Sequence, residues 1–408
     1  MSSQSLAVGE EIATSVTIER ILPGGVGLAH AEGRTILVSL AAPGDVLRVR
    51  IDRVRGNVAF ASISEILEPS PVRVEPPCPY FGRCGGCDFQ QLNYQAQLDA
   101  KVAIIRDCLH RIAQLESPPT IAIKAAPQQW QYRARANWQI DPITKRLGYF
   151  ESGSHRVCDV EVCAVLAPRL QDVLRDLRSE IHNGAAGDNL RDLRATIGDT
   201  NVSVAPALGD FQTDDVSLSL AGEKYSFNAD SFFQVNPDLV EALIAEALRD
   251  ANGKLAIDLY CGAGLFTLPL ARQFESVVGV EVNDRATHFA RRNLQAANLE
   301  NAAIVTAGVG QWLAAQRHSF ESVDFLLLDP PRPGVENKVI EGILAIDPRR
   351  ISYVSCDPAT LARDVRKLIT GGYHLDSIMA FDLFPQTHHV ETVIHLHKVP
   401  TDARQDSE

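Results

Sequence analysis

AIDLYCGAGLFTLPLA, residues 256–271, joins a short apolar run to an amphipathic one through Gly-Ala-Gly. It reads as a strand, a glycine turn and a helix. Gly262 and Gly264 let the turn tighten and the backbone approach a ligand. Working outward, PDLVEALIAEALRDA (237–251) has helical periodicity. SVVGVEVN (276–283), AAIVTAG (302–308), DFLLLDPP (324–331) and ISYVSC (351–356) are further strand candidates with helical stretches between them. Strands alternating with helices predict a parallel, doubly wound α/β sheet. SIMAFDLFP (377–385) and VETVIHLHKV (390–399) close it as a hairpin.

Upstream the grammar changes. Residues 9–67 alternate apolar and polar with Gly-rich turns, which predicts a small β-barrel of about five strands. EPSPVRVEPP (68–77) carries four prolines in ten residues and reads as a linker. Residues 91–115 are helical in period, and 120–226 are mixed α+β. The expected units are 9–67, 70–226 and 227–400, with the helix at 91–115 packing on the last of them.

At 408 residues, 45% hydrophobic and 22% charged, the chain can bury large cores. It has no apolar run near the ~18 residues of a membrane span. The first residues also lack a basic-then-apolar signal pattern, so a cytoplasmic protein without membrane contact is expected. A net charge of −12 argues against indiscriminate nucleic-acid binding. Locally, however, residues 124–156 hold Lys124, Arg133, Arg135, Lys145, Arg146 and Arg156 against Asp141 and Glu151, with Trp130, Tyr132, Trp138, Tyr149 and Phe150 interleaved. That mixture suits single-stranded RNA, and equally a sheet face over an aromatic core.

Three groups of residues carry chemistry. Tyr260, Glu281 and Asp329 fall at the ends of the first, second and fourth strands of the doubly wound unit, where such sheets bind ligands. A strand-end acid can hold ribose hydroxyls, in a nicotinamide enzyme as well as elsewhere. Cys356 ends a strand before Asp357, a candidate N-cap with Pro358 at the first helical position. A helix amino end favours a thiolate, Asp357 opposes one, and a buried packing cysteine is the alternative. Cys78, Cys84 and Cys87 follow a C-x5-C-x2-C spacing, and Cys158 and Cys163 lie downstream. Four such thiols suit structural zinc or an iron–sulfur cluster.

D-x-Y-C-G-A-G, the strand-end acid and D-P-P resemble the class I S-adenosylmethionine-dependent methyltransferases. With SFFQVNP (231–237), SCDPATLARD (355–364), FPQTHHVE (384–391) and CPYFGRCGGC (78–87), the chain resembles the RNA 5-methyluridine methyltransferases of the iron–sulfur type, over nearly its whole length. The resemblance implies a Rossmann-like C-terminal methyltransferase domain, an OB-like TRAM barrel at the N-terminus and a central α+β iron–sulfur domain. It implies S-adenosylmethionine held by Gln234, Tyr260, Glu281 and Asp329, and a [4Fe–4S] cluster on Cys78, Cys84, Cys87 and Cys163. Leu265 departs from the polar residue frequent in relatives, and Asp357 from Asn. Cys356 becomes the nucleophile that adds to C6 of uracil, and Glu391 the base that removes the C5 proton. The expected substrate is RNA, with ribosomal RNA preferred and transfer RNA open, acted on by a monomer. Cytosine-C5 methylation and a noncatalytic RNA-binding role are the rivals.

Overall fold

A computed structural model describes residues 15–185, 187, 189–316 and 319–399. Residues 9–14 of the expected barrel and residue 400 lie outside that set. The N-terminal strands form one six-stranded sheet, in the order Val16–Thr17, Val46–Arg55, Val58–Glu68, Arg34–Val38, Val26–Ala31, Arg20–Leu22. One pairing, Arg34–Val38 with Val58–Glu68, is parallel and the rest are antiparallel. The sheet has its own core, including Ile36, Val38, Leu47, Val49 and Ile51.

A five-stranded antiparallel sheet follows: Val157–Asp159, Arg146–Phe150, Arg135–Asp141, Asp192–Ile197, Val202–Ala205. Helix Pro168–His182 covers one face and buries Leu170, Val173, Leu174, Leu177 and Ile181. The strand period of two divides the basic-aromatic stretch between the faces. Ala136, Trp138 and Ile140 point into the core, while Asn137 and Phe150 are exposed. Tyr132 is buried as well, so the aromatics do not form one continuous stacking surface.

The C-terminal sheet has eight strands: Ala302–Thr306, Phe274–Glu281, Gly253–Leu259, Phe325–Leu328, Arg350–Ser355, Glu391–Lys398, Tyr373–Phe381 and Ile121–Lys124. The first five are parallel, and Glu391–Lys398 runs against both its neighbours. Alternate residues feed cores on opposite faces. Ile257, Leu259, Leu326, Leu328, Ile351 and Tyr353 enter one; Ala256, Phe325, Leu327 and Val354 enter the other. Burial on both faces explains why these strands read as unbroken apolar runs. Helix Tyr94–Arg111 contributes Ile104, Ile105, Cys108 and Leu109 to the first core and packs against helix Pro358–Thr370. The edge strand Ile121–Lys124 comes from far upstream and pairs parallel to Tyr373–Phe381. Among the described residues no helix is long and apolar enough to cross a membrane.

Candidate functional site

Register places the strand-end residues in one row. Leu259 pairs with Val280 on one side and Leu328 on the other, so Tyr260 falls between Glu281 and Asp329 at the carboxyl edge. Tyr260 adopts φ +64°, which turns the chain out of the sheet, and its N–H still donates to Val280 O at 2.8 Å. Gly262 follows at φ +54°, and a Cβ built there meets no atom within 4 Å. Its N–H donates to Glu281 Oε2 at 3.3 Å, while Glu281 Oε1 accepts from Asn283 N at 2.8 Å. Gly264, at φ +91°, serves packing instead, since a Cβ there lies 2.9 Å from Leu268 Cδ1. Open backbone beside a fixed carboxylate is an arrangement that can take a ribose-bearing ligand. Leu265 is a core residue that presents only its carbonyl, to Tyr225 Oη at 3.0 Å.

Gln234 stands apart from this row. It is buried in the segment before helix Pro237–Ala247, between Phe233, stacked on Phe227, and Asn236, whose buried amide has partners for neither atom. That amide leaves a donor and an acceptor for a bound polar group.

A second register argument brings the thiol and the carboxylate together. Arg350 pairs with His397 and Ser355 with Thr392, antiparallel, so the next step along both strands sets Cys356 opposite Glu391. Asp357 caps helix Pro358–Thr370, its Oδ1 accepting from Thr360 N at 2.8 Å. Burial, then Glu391, push the Cys356 thiol up to about 12; Arg332 opposes, and Asp329 and Asp357 add smaller contributions. Asp357, next door in sequence and expected to oppose the thiolate, does so, but as the smallest of these causes. Burial and Asp329 hold the Glu391 carboxyl well above its usual range, against the pull of Arg332. Burial alone raises Asp329 to about 7.

Arg332, in the turn after Asp329, carries no signal in the sequence beyond its place in DPPRPG. Its Nη2 lies 3.3 Å from His389 Nε2. Burial, then the cations around it, lower His389 to about 3, so the ring is neutral and accepts from the guanidinium. The Arg332 charge acts on both the Cys356 thiol and the Glu391 carboxyl, favouring their ionised forms.

The loop between the last two strands is held from outside its own sheet. Lys101 Nζ donates to Phe384 O at 3.1 Å, Tyr132 Oη to Pro385 O at 3.0 Å, and Gln386 N to Gln97 Oε1 at 2.9 Å. Asp88 N and Phe89 N donate to Gln386 O at 3.1 and 3.0 Å. Asp88 Oδ1 accepts from His388 N at 2.8 Å, and its Oδ2 meets His388 Nδ1.

Cys78, Cys84, Cys87 and Cys163 line one cavity together with Arg133 and Tyr149. Cys158 does not line it; buried in the core, its Sγ accepts from Arg83 Nε at 3.3 Å. Cys108 and Cys261 are buried in packing positions. Among the described residues, only His374, Asp376 and His397 have three ligand atoms within 4.8 Å of one another, so no three of the cavity's sulfurs lie that close together. Tetrahedral zinc, with Zn–S near 2.3 Å, holds its sulfurs roughly 3.8 Å apart. Burial raises Cys84 and Cys87 to about 12, so as free thiols they are neutral and need a cation to ionise them. Arg133 Nε is buried in this wall without a partner, and Gly86 N donates to Cys84 Sγ at 3.4 Å. The donor set and the spare guanidinium suit an anionic occupant larger than one ion.

Residues 209–399 match the family model described as tRNA (uracil-5-)-methyltransferase, and residues 8–64 match the TRAM domain. A relative from Pseudomonas putida named 23S rRNA (uracil(1939)-C(5))-methyltransferase RlmD is 33% identical, covering 92% of each chain. Its namesake from Pectobacterium atrosepticum is 32% identical over 93% of this chain and 92% of that one. A Gloeobacter violaceus protein called an uncharacterized RNA methyltransferase is 32% identical over 94% and 96%. The crystal structure of Pyrococcus abyssi tRNA (uracil-54, C5)-methyltransferase with S-adenosyl-L-homocysteine superposes with a TM-score of 0.73 at 26% identity, over 93% of this chain and all of that one.

Proposed function

The chain belongs to the tRNA (uracil-5-)-methyltransferase family, S-adenosylmethionine-dependent enzymes acting on C5 of RNA uracil, and from that premise we propose that it methylates one uridine of 23S ribosomal RNA through a covalent adduct on Cys356. The register that sets Cys356 opposite Glu391 carries this reading. Uracil C5 is a poor nucleophile until a group adds at C6. Cys356 Sγ adds there, and the electron pair moves onto C5 as an enolate. S-adenosylmethionine, which Tyr260, Glu281 and Asp329 would hold with Gln234 on the methionine side, would supply the methyl group: C5 takes it as the sulfonium S–CH3 bond breaks, and the neutral thioether leaves. Glu391 then accepts the C5 proton, the C5–H pair re-forms the C5=C6 bond, and Cys356 leaves as thiolate.

Electrostatics of the site support these roles. Arg332 favours both anions, and a nearby sulfonium acts in the same direction. A carboxyl raised by burial is, once ionised, a stronger base than an exposed one. The target base sits in a folded RNA and must be flipped out to reach a half-buried thiol. Transfer RNA is the second substrate, favoured by the Pyrococcus abyssi enzyme's own substrate.

For the cysteine cavity we infer a [4Fe–4S] cluster on Cys78, Cys84, Cys87 and Cys163. Four thiols lining one cavity support it, and Arg133 would offset its negative charge. With four protein ligands the cluster would act as a cross-link between the CGGC segment and the five-stranded sheet. The test of the reaction is RNA containing 5-fluorouridine, from which the last proton cannot leave. A stable protein–RNA linkage at residue 356 is expected; its absence overturns the covalent mechanism.

A further inference from the structure

We propose that Asp88 is a positioning residue for Glu391: the segment leaving Cys87 clamps the Phe384–His388 loop and thereby sets the base against the substrate ring. This rests on the reading of Glu391 as base. Glu391 lies three residues beyond His388, so the loop's placement is the placement of the first residue of the last strand. Among the described residues of the loop only Thr387 ties its neighbours together, to Phe384 O and His389 N; the rest of its hold comes from outside. Gln386 sits at φ +69°, outside any ladder, and its N–H, its carbonyl and its side-chain carbonyl go to Gln97, Asp88, Phe89 and Gln97.

Asp88 contributes most to this clamp. Its N–H fixes the Gln386 carbonyl, one carboxylate oxygen fixes His388 N, and the other fixes the His388 ring. The His388 ring lies 4.1 Å, centroid to centroid, from His389, which accepts from Arg332. The N-terminal sheet closes the arrangement from behind. A Cβ at Gly25 would stand 3.1 Å from Asp88 Oδ2 and 3.2 Å from His388 Cβ, and Gly25 at φ +76° leaves that space free. One carboxylate therefore ties the segment after Cys87 to the loop that delivers the base, with the Gly25 turn close against both. Asp88 touches neither substrate nor cofactor in this scheme; it acts through backbone geometry.

A loosened base has a distinct kinetic signature. Cys356 still adds to C6 and C5 still takes its methyl group, but the C5 proton stays and Cys356 is not expelled. Asp88→Ala, assayed as full-length metal-loaded protein on undermethylated ribosomal RNA with ordinary uridine, should lower kcat about tenfold with KM for S-adenosylmethionine unchanged. A detergent-stable protein–RNA adduct, absent from wild type, should accumulate. Iron content should stay at the wild-type level. His388→Ala, which removes only the ring contact, should lower kcat about threefold with the same adduct, and it decides the matter if Asp88→Ala does not fold. Wild-type turnover overturns the proposal, as does lost turnover with no adduct. Glu391→Gln is the control: if it accumulates no adduct with uridine RNA, the role of Glu391 fails, whatever Asp88 does.

Discussion

Lys101 and Asp382 form an ion pair with neither side chain exposed to solvent, joining helix Tyr94–Arg111 to the end of strand Tyr373–Phe381 across 281 residues. Burial pulls the Lys101 ammonium below its usual range, and Asp382 opposes that pull. Removing one partner leaves a buried charge uncompensated, at a cost of roughly 3–5 kcal/mol. Lys101→Met should lower the urea midpoint accordingly. Lys101→Met with Asp382→Asn should recover part of the loss; equal loss in both variants would show that the pair is not the cause.

Asp258 gives stability a pH dependence. Burial, which outweighs the hydrogen bond from Thr267 Oγ1 at 2.5 Å, raises its carboxyl to about 7. A carboxyl whose folded pKa lies above its unfolded value stabilises fully below the unfolded value and loses that contribution as pH rises through the folded one. Asp258→Asn should therefore melt at a higher temperature than wild type at pH 8. The gap should close steadily between about pH 7 and pH 4, measured by calorimetry without cofactor.

In the free enzyme Cys356 should be a sluggish thiol. Burial and Glu391 push it up to about 12, so its alkylation by iodoacetamide should climb about tenfold per pH unit through the mildly alkaline range. Glu391→Gln should move that profile to lower pH. A profile already flat at pH 8 would mean a thiolate preformed by some other group.

The cavity predicts which cysteines matter to the metal. Cys163→Ser should abolish the brown colour and iron content of anaerobically purified protein. Cys158→Ser, outside the cavity, should retain both. Zinc in place of iron in the wild type would overturn the cluster assignment.

What the sequence disclosed was what local chemistry encodes. Asp357 followed by Pro358 marked a helix start, and Asp357 does cap that helix. The apolar runs of the parallel strands were visible because both faces are buried. The edge strand Ile121–Lys124 was not, since four residues of IAIK say nothing about pairing with Tyr373–Phe381 more than two hundred residues away. The Asp88 and Arg332 contacts were hidden for the same reason: each depends on a loop brought in from elsewhere. The aromatic stretch fell between these cases. Its alternation was in view, but not that Trp138 would face inward and Phe150 outward.

The sheet also decides where the molecule can absorb change in length. Pairing between Arg350–Ser355 and Glu391–Lys398 is unbroken, whereas pairing of Tyr373–Phe381 with that same last strand slips at a bulge between Leu375 and Ser377. Slack is thus confined to the flank away from the sulfur. Were a residue inserted within 392–398 with the distal pairs kept, the ladder would set Thr392 in place of Glu391 opposite Cys356, and every side chain on that side of the insertion would change faces. An insertion near the bulge could be swallowed without the reacting pair falling out of phase.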